Sequence, residues 1–397
     1  MGKKTVEDID LDGKRVLVRV DFNVPRDKTT GAITNDTRMR AALPTINYLR
    51  DHNAKVILMS HLGRPKGKVC EDMRLDEVGR HLGELLGCSV RKMDDCVGAE
   101  VTRAVGEMKP RDVLLLENLR FHPEEEKNDP VFARQLAELG DVYVDDAFGC
   151  CHRAHCSTAG IGDYLPSVAG FLIKNEISSL ASAIIRPVQP FVAIIGGAKI
   201  SDKIGVVRYL LDRAQTVIIG GGMANTFLAA QGYKMGASLV ENDRIEEAAA
   251  ILEEAMNHGT SLLLPVDVCV AQGIDAPETA KVVRVDAIED GWMALDIGPE
   301  TARHYKDAIV NAKTIVWNGP MGVFEEDAFA KGTNAMAQAL AEADAYSIVG
   351  GGDSVAAVTK AGLTDRINHV STGGGASLAF MEGKVLPGLA ILEERED

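Results

Sequence analysis

No apolar run in this 397-residue chain reaches membrane-spanning length, and its start, Met1-Gly2-Lys3-Lys4-Thr5-Val6-Glu7, has no hydrophobic signal core. A helical membrane protein is excluded and a cytoplasmic location expected. A disulfide framework is also missing. The seven cysteines are odd in number and irregularly spaced, which fits reduced thiols in a cytosol. Broad positive charge is absent: the net charge is −15, so neither nucleic acid nor a membrane surface is expected as a partner. A small anion is not excluded, because a local cluster of Arg and His sets its own field. There is no Gly-x-x-x-x-Gly-Lys-Ser/Thr loop, no strict Gly-x-Gly-x-x-Gly fingerprint and no protein-kinase motif set. These gaps weigh against P-loop ATPases, dehydrogenases and protein kinases. No fixed-period repeat and no low-complexity segment occurs.

What is present is an ordinary globular composition, 46% hydrophobic and 25% charged, in a chain long enough for two domains. Short β-branched runs alternate with amphipathic stretches, the pattern of parallel α/β sheets. The pattern predicts strands over 15–20, 55–60, 112–116 and 141–144 in the first half. In the second half it predicts strands over 191–195, 216–219, 261–264, 314–317, 346–349 and 369–371. Helices are predicted over 75–86, 131–139, 174–185, 244–257 and 328–341. Pro187 and Pro190 end the 174–185 helix, so the junction between two lobes belongs there.

Nearly every polar or glycine-rich cluster directly follows a predicted strand, at the edge where open α/β sheets bind ligands. In the first half these clusters are Asp21-Phe22-Asn23-Val24-Pro25, His61-Leu62-Gly63-Arg64-Pro65, Glu117-Asn118-Leu119-Arg120-Phe121 and Cys150-Cys151-His152-Arg153-Ala154-His155. Arg38 opens the helix after the first cluster. A lone arginine is usually a surface residue. Arg38, Arg64, Arg120 and Arg153 at equivalent strand ends suit a small substrate with several negative charges. Asp21 and Asn23 suit its hydroxyl or a carboxylate, and His61 a phosphate.

The second half answers with glycine. Gly196-Gly197-Ala198-Lys199, Gly220-Gly221-Gly222, Asn318-Gly319-Pro320, Gly350-Gly351-Gly352-Asp353-Ser354 and Gly373-Gly374-Gly375 all follow strands. A single Gly-Gly pair is most simply a tight turn. Repeated at one sheet edge, such loops favour a nucleotide, with backbone and helix starts approaching its phosphates. Lys199 and Lys203 could reach phosphates, Glu325 ribose hydroxyls, and Asp353 a magnesium ion.

With these pieces in this order, the chain resembles the phosphoglycerate kinase family along essentially its whole length. The resemblance implies two Rossmann-like lobes, each a parallel sheet flanked by helices, joined by a helical hinge. The expected bounds are 1–172 for a 3-phosphoglycerate-binding domain, 173–188 for the connector and 189–375 for a nucleotide-binding domain. Residues 376–397 are expected to return to the first lobe. The implied reaction is reversible in-line transfer between 1,3-bisphosphoglycerate and Mg-ADP, giving 3-phosphoglycerate and Mg-ATP. It proceeds by closure of the lobes, without a phosphoenzyme. Asp21, Phe22, Asn23, Arg38, His61, Leu62, Gly63, Arg64, Arg120 and Arg153 are implied for substrate. Gly197, Lys203, Asn318, Glu325, Gly351, Gly352, Asp353 and Ser354 are implied for nucleotide, with Asp353 on Mg2+. Arg38, Lys199, Gly373 and Gly374 are implied to stabilise the group in transit. A monomer is expected.

Other readings predict other residues. A dehydrogenase would need the missing fingerprint, and a non-catalytic relative would have lost Arg38, Lys199 or Asp353, all of which are present. Cys150, Cys151, His152, His155 and Cys156 have metal-ligand chemistry, but adjacent residues seldom both ligate in regular geometry. Small or hydroxyl residues are usual in the family where these cysteines stand, so oxidation sensitivity is expected there. Ala294 stands where many members have glycine beside the adenine. The run Glu124-Glu125-Glu126 reads as a solvated loop.

Overall fold

The computed structural model describes residues 2–27 and 29–395. The last two residues of the expected 376–397 segment lie outside that range. The chain forms two compact units, residues 1–177 with 385–397 and residues 178–384.

The first unit carries a six-stranded sheet in the order Val90–Lys92, Val113–Leu115, Lys55–Met59, Arg15–Val20, Val142–Asp146, Ser167–Ala169. All its pairs are parallel. Parallel sheets are covered on both faces, so their strands must be apolar throughout. Val16 to Val20 and Val56 to Met59 are accordingly buried without a break. This is why the unbroken β-branched runs were readable as strands. The strand order reverses on either side of Arg15–Val20, which places the unit's ligand crevice at that strand's carboxyl end.

The second unit repeats the plan with His369–Val370, Tyr346–Gly350, Thr314–Asn318, Phe191–Ile195, Thr216–Ile219 and Ser261–Leu263, again all parallel. Its crevice falls between Phe191–Ile195 and Thr314–Asn318. Trp317 is fully buried there, and its indole N–H donates to the Gly319 carbonyl at 2.7 Å. The two-sheet α/β expectation holds.

Three features differ from the sequence reading. Val90–Lys92 and Ser167–Ala169 are edge strands of three residues each, too short to announce themselves by periodicity. The second unit also holds a small antiparallel sheet in the order Lys281–Arg284, Asp267–Ala271, Met293–Ile297. Its edge strand Lys281–Arg284 is exposed at alternate residues, while Asp267–Ala271 and Met293–Ile297 are mostly buried. The returning stretch is shorter than 376–397: the helix Gly375–Met381 stays with the second unit, and the return begins at Val385. The expected connector corresponds to the helix Phe171–Ile184.

The return is fastened to the first unit by backbone. Lys4 N–H donates to Glu393 C=O at 2.8 Å, Glu393 N–H to Ser167 C=O at 2.9 Å, and Gly388 N–H to Cys151 C=O at 3.0 Å. Leu386 and Leu392 are buried. Burying each stabilises by about 1.5–3 kcal/mol. Ending the chain at Lys384 is therefore expected to lower the thermal midpoint of the first unit. Hydrogen exchange should quicken at residues 4–6 and 167–169 and stay unchanged in Phe191–Ile195.

Candidate active site

In the first unit the predicted residues gather around His61. Its ring is buried, and its Nδ1 lies 3.1 Å from Arg19 Nη2. Burial first, then the guanidiniums of Arg19, Arg120, Arg153 and Arg38, hold the imidazole well below its usual range. The ring is thus neutral. A guanidinium only donates, so Nδ1 accepts and the proton sits on Nε2. His61 therefore presents one N–H donor.

Arg38 Nη1 lies 3.1 Å from Asp21 Oδ2 and donates to the Asn23 carbonyl at 3.0 Å. Asn23 Oδ1 accepts Gly63 N–H at 2.9 Å. Arg120 is buried, donates from Nη1 to Gly63 C=O at 2.8 Å and lies 3.3 Å from Glu126. Burial lowers the Arg120 pKa. Arg153 is half-buried and donates from Nε to His152 Nε2 at 3.2 Å, while Arg64 is exposed. Phe22 and Leu62 are core side chains, and their amides are taken by Ser60 Oγ and Asn118 Oδ1.

Three contributors were missed. Arg19 is 1% exposed and donates to Ser157 Oγ at 2.8 Å and to the Val20 carbonyl. Its signal was an arginine inside an otherwise apolar strand. Glu125 corrects the solvated-loop reading: it is 1% exposed and accepts from Ser157 Oγ at 2.6 Å and Ser157 N–H at 3.1 Å. Burial raises its pKa, opposed by Arg19. Asn118 clamps two strand-end loops. Its Oδ1 accepts from Leu62 and Arg120, and its Nδ2 donates to the carbonyls of Leu62 and Met73.

The cysteine-histidine segment does not form a metal site. Cys151 Sγ donates to Asp145 Oδ2 at 3.3 Å, and Cys156 Sγ faces the carbonyls of Glu124 and Asp129 at 3.2 Å each. The ligand atoms of Asp21, His61 and Cys150 do come within 4.8 Å of one another, but the surrounding guanidiniums oppose a cation there. The surroundings of these thiols bear on the oxidation expectation. Burial pushes the Cys150 and Cys156 thiols up to about 12 and the Cys151 thiol well above its usual value. The thiolate is the reactive form.

In the second unit a cavity of about 300 Å³ opens at the crevice, a size suited to a small ligand. Leu239, Ile274, Met293, Ala294, Leu295 and Val323 give it apolar walls; Glu325 and Asp353 also line it. Its glycine loops pack backbone on backbone. Gly221 has φ 69°, and a Cβ there would lie 2.5 Å from the Gly197 carbonyl oxygen. Part of the glycine content thus serves loop packing, not ligand approach.

Lys203 is largely buried. Its Nζ donates to the Asn318 carbonyl at 3.3 Å and to Asn318 Oδ1. Burial lowers it to about 8, opposed by Asp353 and Asp202. Asn318 Nδ2 is buried without a hydrogen-bond partner among the described residues, a donor suited to a phosphate oxygen. Ser354 Oγ accepts Gly319 N–H at 2.6 Å, joining the last turn of the crevice to the helix Gly352–Lys360. Asp353 is exposed in that helix's first turn, after Gly351 at φ 88°. Lys199, Gly352 and Gly374 are exposed, and Gly373 N–H donates to Ser371 Oγ at 3.1 Å.

A sequence profile described as phosphoglycerate kinase matches residues 6–384. The chain belongs to the phosphoglycerate kinase family. The phosphoglycerate kinase of Moorella thermoacetica is 62% identical over 395 residues, spanning both chains fully. That of Pelotomaculum thermopropionicum is 56% identical over the same span. Among solved structures, phosphoglycerate kinase from Coxiella burnetii superposes with a TM-score of 0.89 at 43% identity, covering 98% of each chain.

Two measurements check this account. Cys70, Cys88 and Cys269 are half-buried, whereas Cys96, Cys150, Cys151 and Cys156 are buried. A thiol reagent should therefore titrate at most three thiols in the native protein and all seven after unfolding. An imidazole held neutral in the fold takes up its proton in the unfolded chain first, so stability falls as pH drops below about 6.5. His61→Gln removes that contribution. Its urea midpoint should fall less than the parent's between about pH 7 and pH 5.

Proposed function

We propose that the chain catalyses reversible phosphoryl transfer between 1,3-bisphosphoglycerate and ADP, giving 3-phosphoglycerate and ATP. The observation that carries the reading is the set of guanidiniums around a neutral, donor-only His61, with Asp21 and Asn23 alongside. Such a set suits a small acid bearing phosphate and hydroxyl. Arg64, Arg120 and Arg153 take the phosphate and carboxyl charges. Arg38 leaves Asp21 to meet the group being transferred. Asp21 and Asn23 take the hydroxyl.

In the second unit the apolar slot takes the base, Glu325 the ribose, and Gly197, Lys203, Asn318, Gly351, Gly352 and Ser354 the phosphates. Mg2+ fits Asp353, because it prefers few protein carboxylates and keeps phosphate oxygens as ligands; when bound it neutralises phosphate charge. Lys199 and the helix start at Gly373 and Gly374 stabilise the moving group.

Phosphoryl transfer asks the protein for position and charge neutralisation, with little covalent chemistry. The bond from phosphorus to the acyl oxygen breaks as an ADP oxygen bonds to phosphorus. Neither His61 nor Cys150 competes for the phosphoryl group: the ring's Nδ1 faces Arg19, and the Cys150 thiol stays protonated. The two ligands belong to different units, so turnover requires a closing motion that also excludes water from the acyl phosphate. The helix Phe171–Ile184 is the candidate hinge. Each half-site is built from this one chain, which supports a monomer. No described helix is long and apolar enough to cross a membrane, in keeping with a cytoplasmic enzyme.

A coupled assay of 3-phosphoglycerate-dependent ATP consumption with magnesium tests the reading. Arg38→Ala should retain the fold and lose about 10²–10³-fold in kcat, the usual cost of removing a charge-stabilising donor. No turnover by the parent, or full turnover by the variant, would refute it.

A further inference from the structure

Asp296 takes no part in the chemistry above, yet it is a buried acid, 5% exposed, next in the chain to the cavity-lining Ala294 and Leu295. Its strand, Met293–Ile297, pairs irregularly with Asp267–Ala271. Cys269 stands opposite Asp296 and Val270 opposite Ala294, leaving Leu295 as an extra residue. Neighbours on a regular strand face opposite sides, and a bulge re-aims them. Here Ala294 and Leu295 both line the cavity. The Leu295 carbonyl accepts Val323 N–H at 2.9 Å, tying the bulge to the segment that carries Val323 and Glu325.

Asp296 holds the back of this arrangement. Its Oδ2 accepts Gly332 N–H at 2.7 Å, in the first turn of the helix Lys331–Glu342, and its Oδ1 accepts Ile297 N–H at 2.9 Å. There is no slack around it. A Cβ at Gly322 would lie 2.5 Å from Oδ1, and one at Gly332 would lie 2.4 Å from it. The ionisable groups nearby are Lys331 at the helix start and Cys269 across the ladder. Burial pushes Asp296 up to about 7, opposed by the amides of Gly332 and Ile297 and by Lys331.

We propose that Asp296 is a positioning residue for the base-and-ribose end of the nucleotide. It touches no ligand. It fixes the gap between the wall of Ala294 and Leu295 and the wall of Val323 and Glu325. The inference rests on the nucleotide reading given above.

The test compares the parent with Asp296→Asn and Gly332→Ala. Asparagine can accept one of the two amides but turns an NH2 toward the other. Alanine at 332 crowds the Asp296 carboxylate and Ile297 Cγ1 together, keeps the aspartate at 296 and lies outside the cavity lining. KM is measured for ATP and for 3-phosphoglycerate, along with inhibition by inorganic tripolyphosphate, which has phosphates but no base or ribose. The expected result is a KM for ATP raised about tenfold in both variants, in line with one charge-assisted hydrogen bond. The other two constants should stay within about twofold of the parent's. An unchanged KM for ATP overturns the inference, and so does an equal shift in all three constants, which would mark general damage. If Asp296→Asn fails to fold, Gly332→Ala decides. A parent without turnover overturns the nucleotide reading and this inference with it; an active parent with unshifted variants overturns this inference alone.

Discussion

A guanidinium as deeply buried as that of Arg19 must be compensated from within the protein, and the first unit's site is organised around how this is done. Removing one ion from water costs several kcal/mol even after the protein relaxes. Arg19 recovers that cost through the Val20 carbonyl, Ser157 Oγ and the lone pair of His61 Nδ1, with Glu125 behind the serine. Burial opposes the Arg19 charge, and the carboxylates of Glu125 and Asp21 nearby act to restore it. Glu125 depends on Arg19 in turn, since burial alone would favour its neutral form. The result is a fixed positive field beneath His61 before any anion arrives. A site assembled in advance spends little of the ligand's binding energy on reorganisation.

The second unit meets a different demand by different means. The nucleotide proposed for it is large, with charge at one end and a flat apolar base at the other. The cavity therefore combines apolar walls with loops whose backbones nearly touch, as at Gly221 against Gly197. Lys203, partly buried at the crevice, leans on Asn318, whose own Nδ2 is left for a further partner. Charge here is supplied at the crevice rim, where Asp353 and Lys199 are exposed. The first unit concentrates charge in side chains; the second relies on backbone and shape.

This division explains what could be read in the sequence. Buried parallel strands are mostly apolar runs, so Phe191–Ile195 and, despite its two arginines, Arg15–Val20 were legible to the residue. Residues that face a ligand follow strand ends, so Asp21, His61, Arg120 and Asp353 were legible as candidates. The residues that hold them were not. Arg19 sits within a strand, Glu125 within an acidic run, Asn118 within a motif noticed for its arginine, and Asp296 on a short antiparallel strand whose bulge has no sequence signature. In each case the role comes from burial and from a partner distant in the chain, such as Ser157 for Arg19 or Gly332 for Asp296. A pattern of residue types contains neither.

The same buried cation also bears on why transfer can be direct. An acyl phosphate is vulnerable to any nucleophile within reach, and a site with a histidine and a cysteine 4.0 Å apart would ordinarily offer two. Arg19 engages the first by donating to Nδ1, which leaves His61 with a protonated nitrogen and no free lone pair. Burial disarms the second by keeping Cys150 protonated, even though Arg19 and Arg120 pull its thiol the other way. Desolvation outweighs the cations for the thiol, just as desolvation and the cations act together on the imidazole. The field that attracts the phosphorylated substrate would by itself activate a thiolate, so it is compatible with an acyl phosphate only because the thiol is sealed from water.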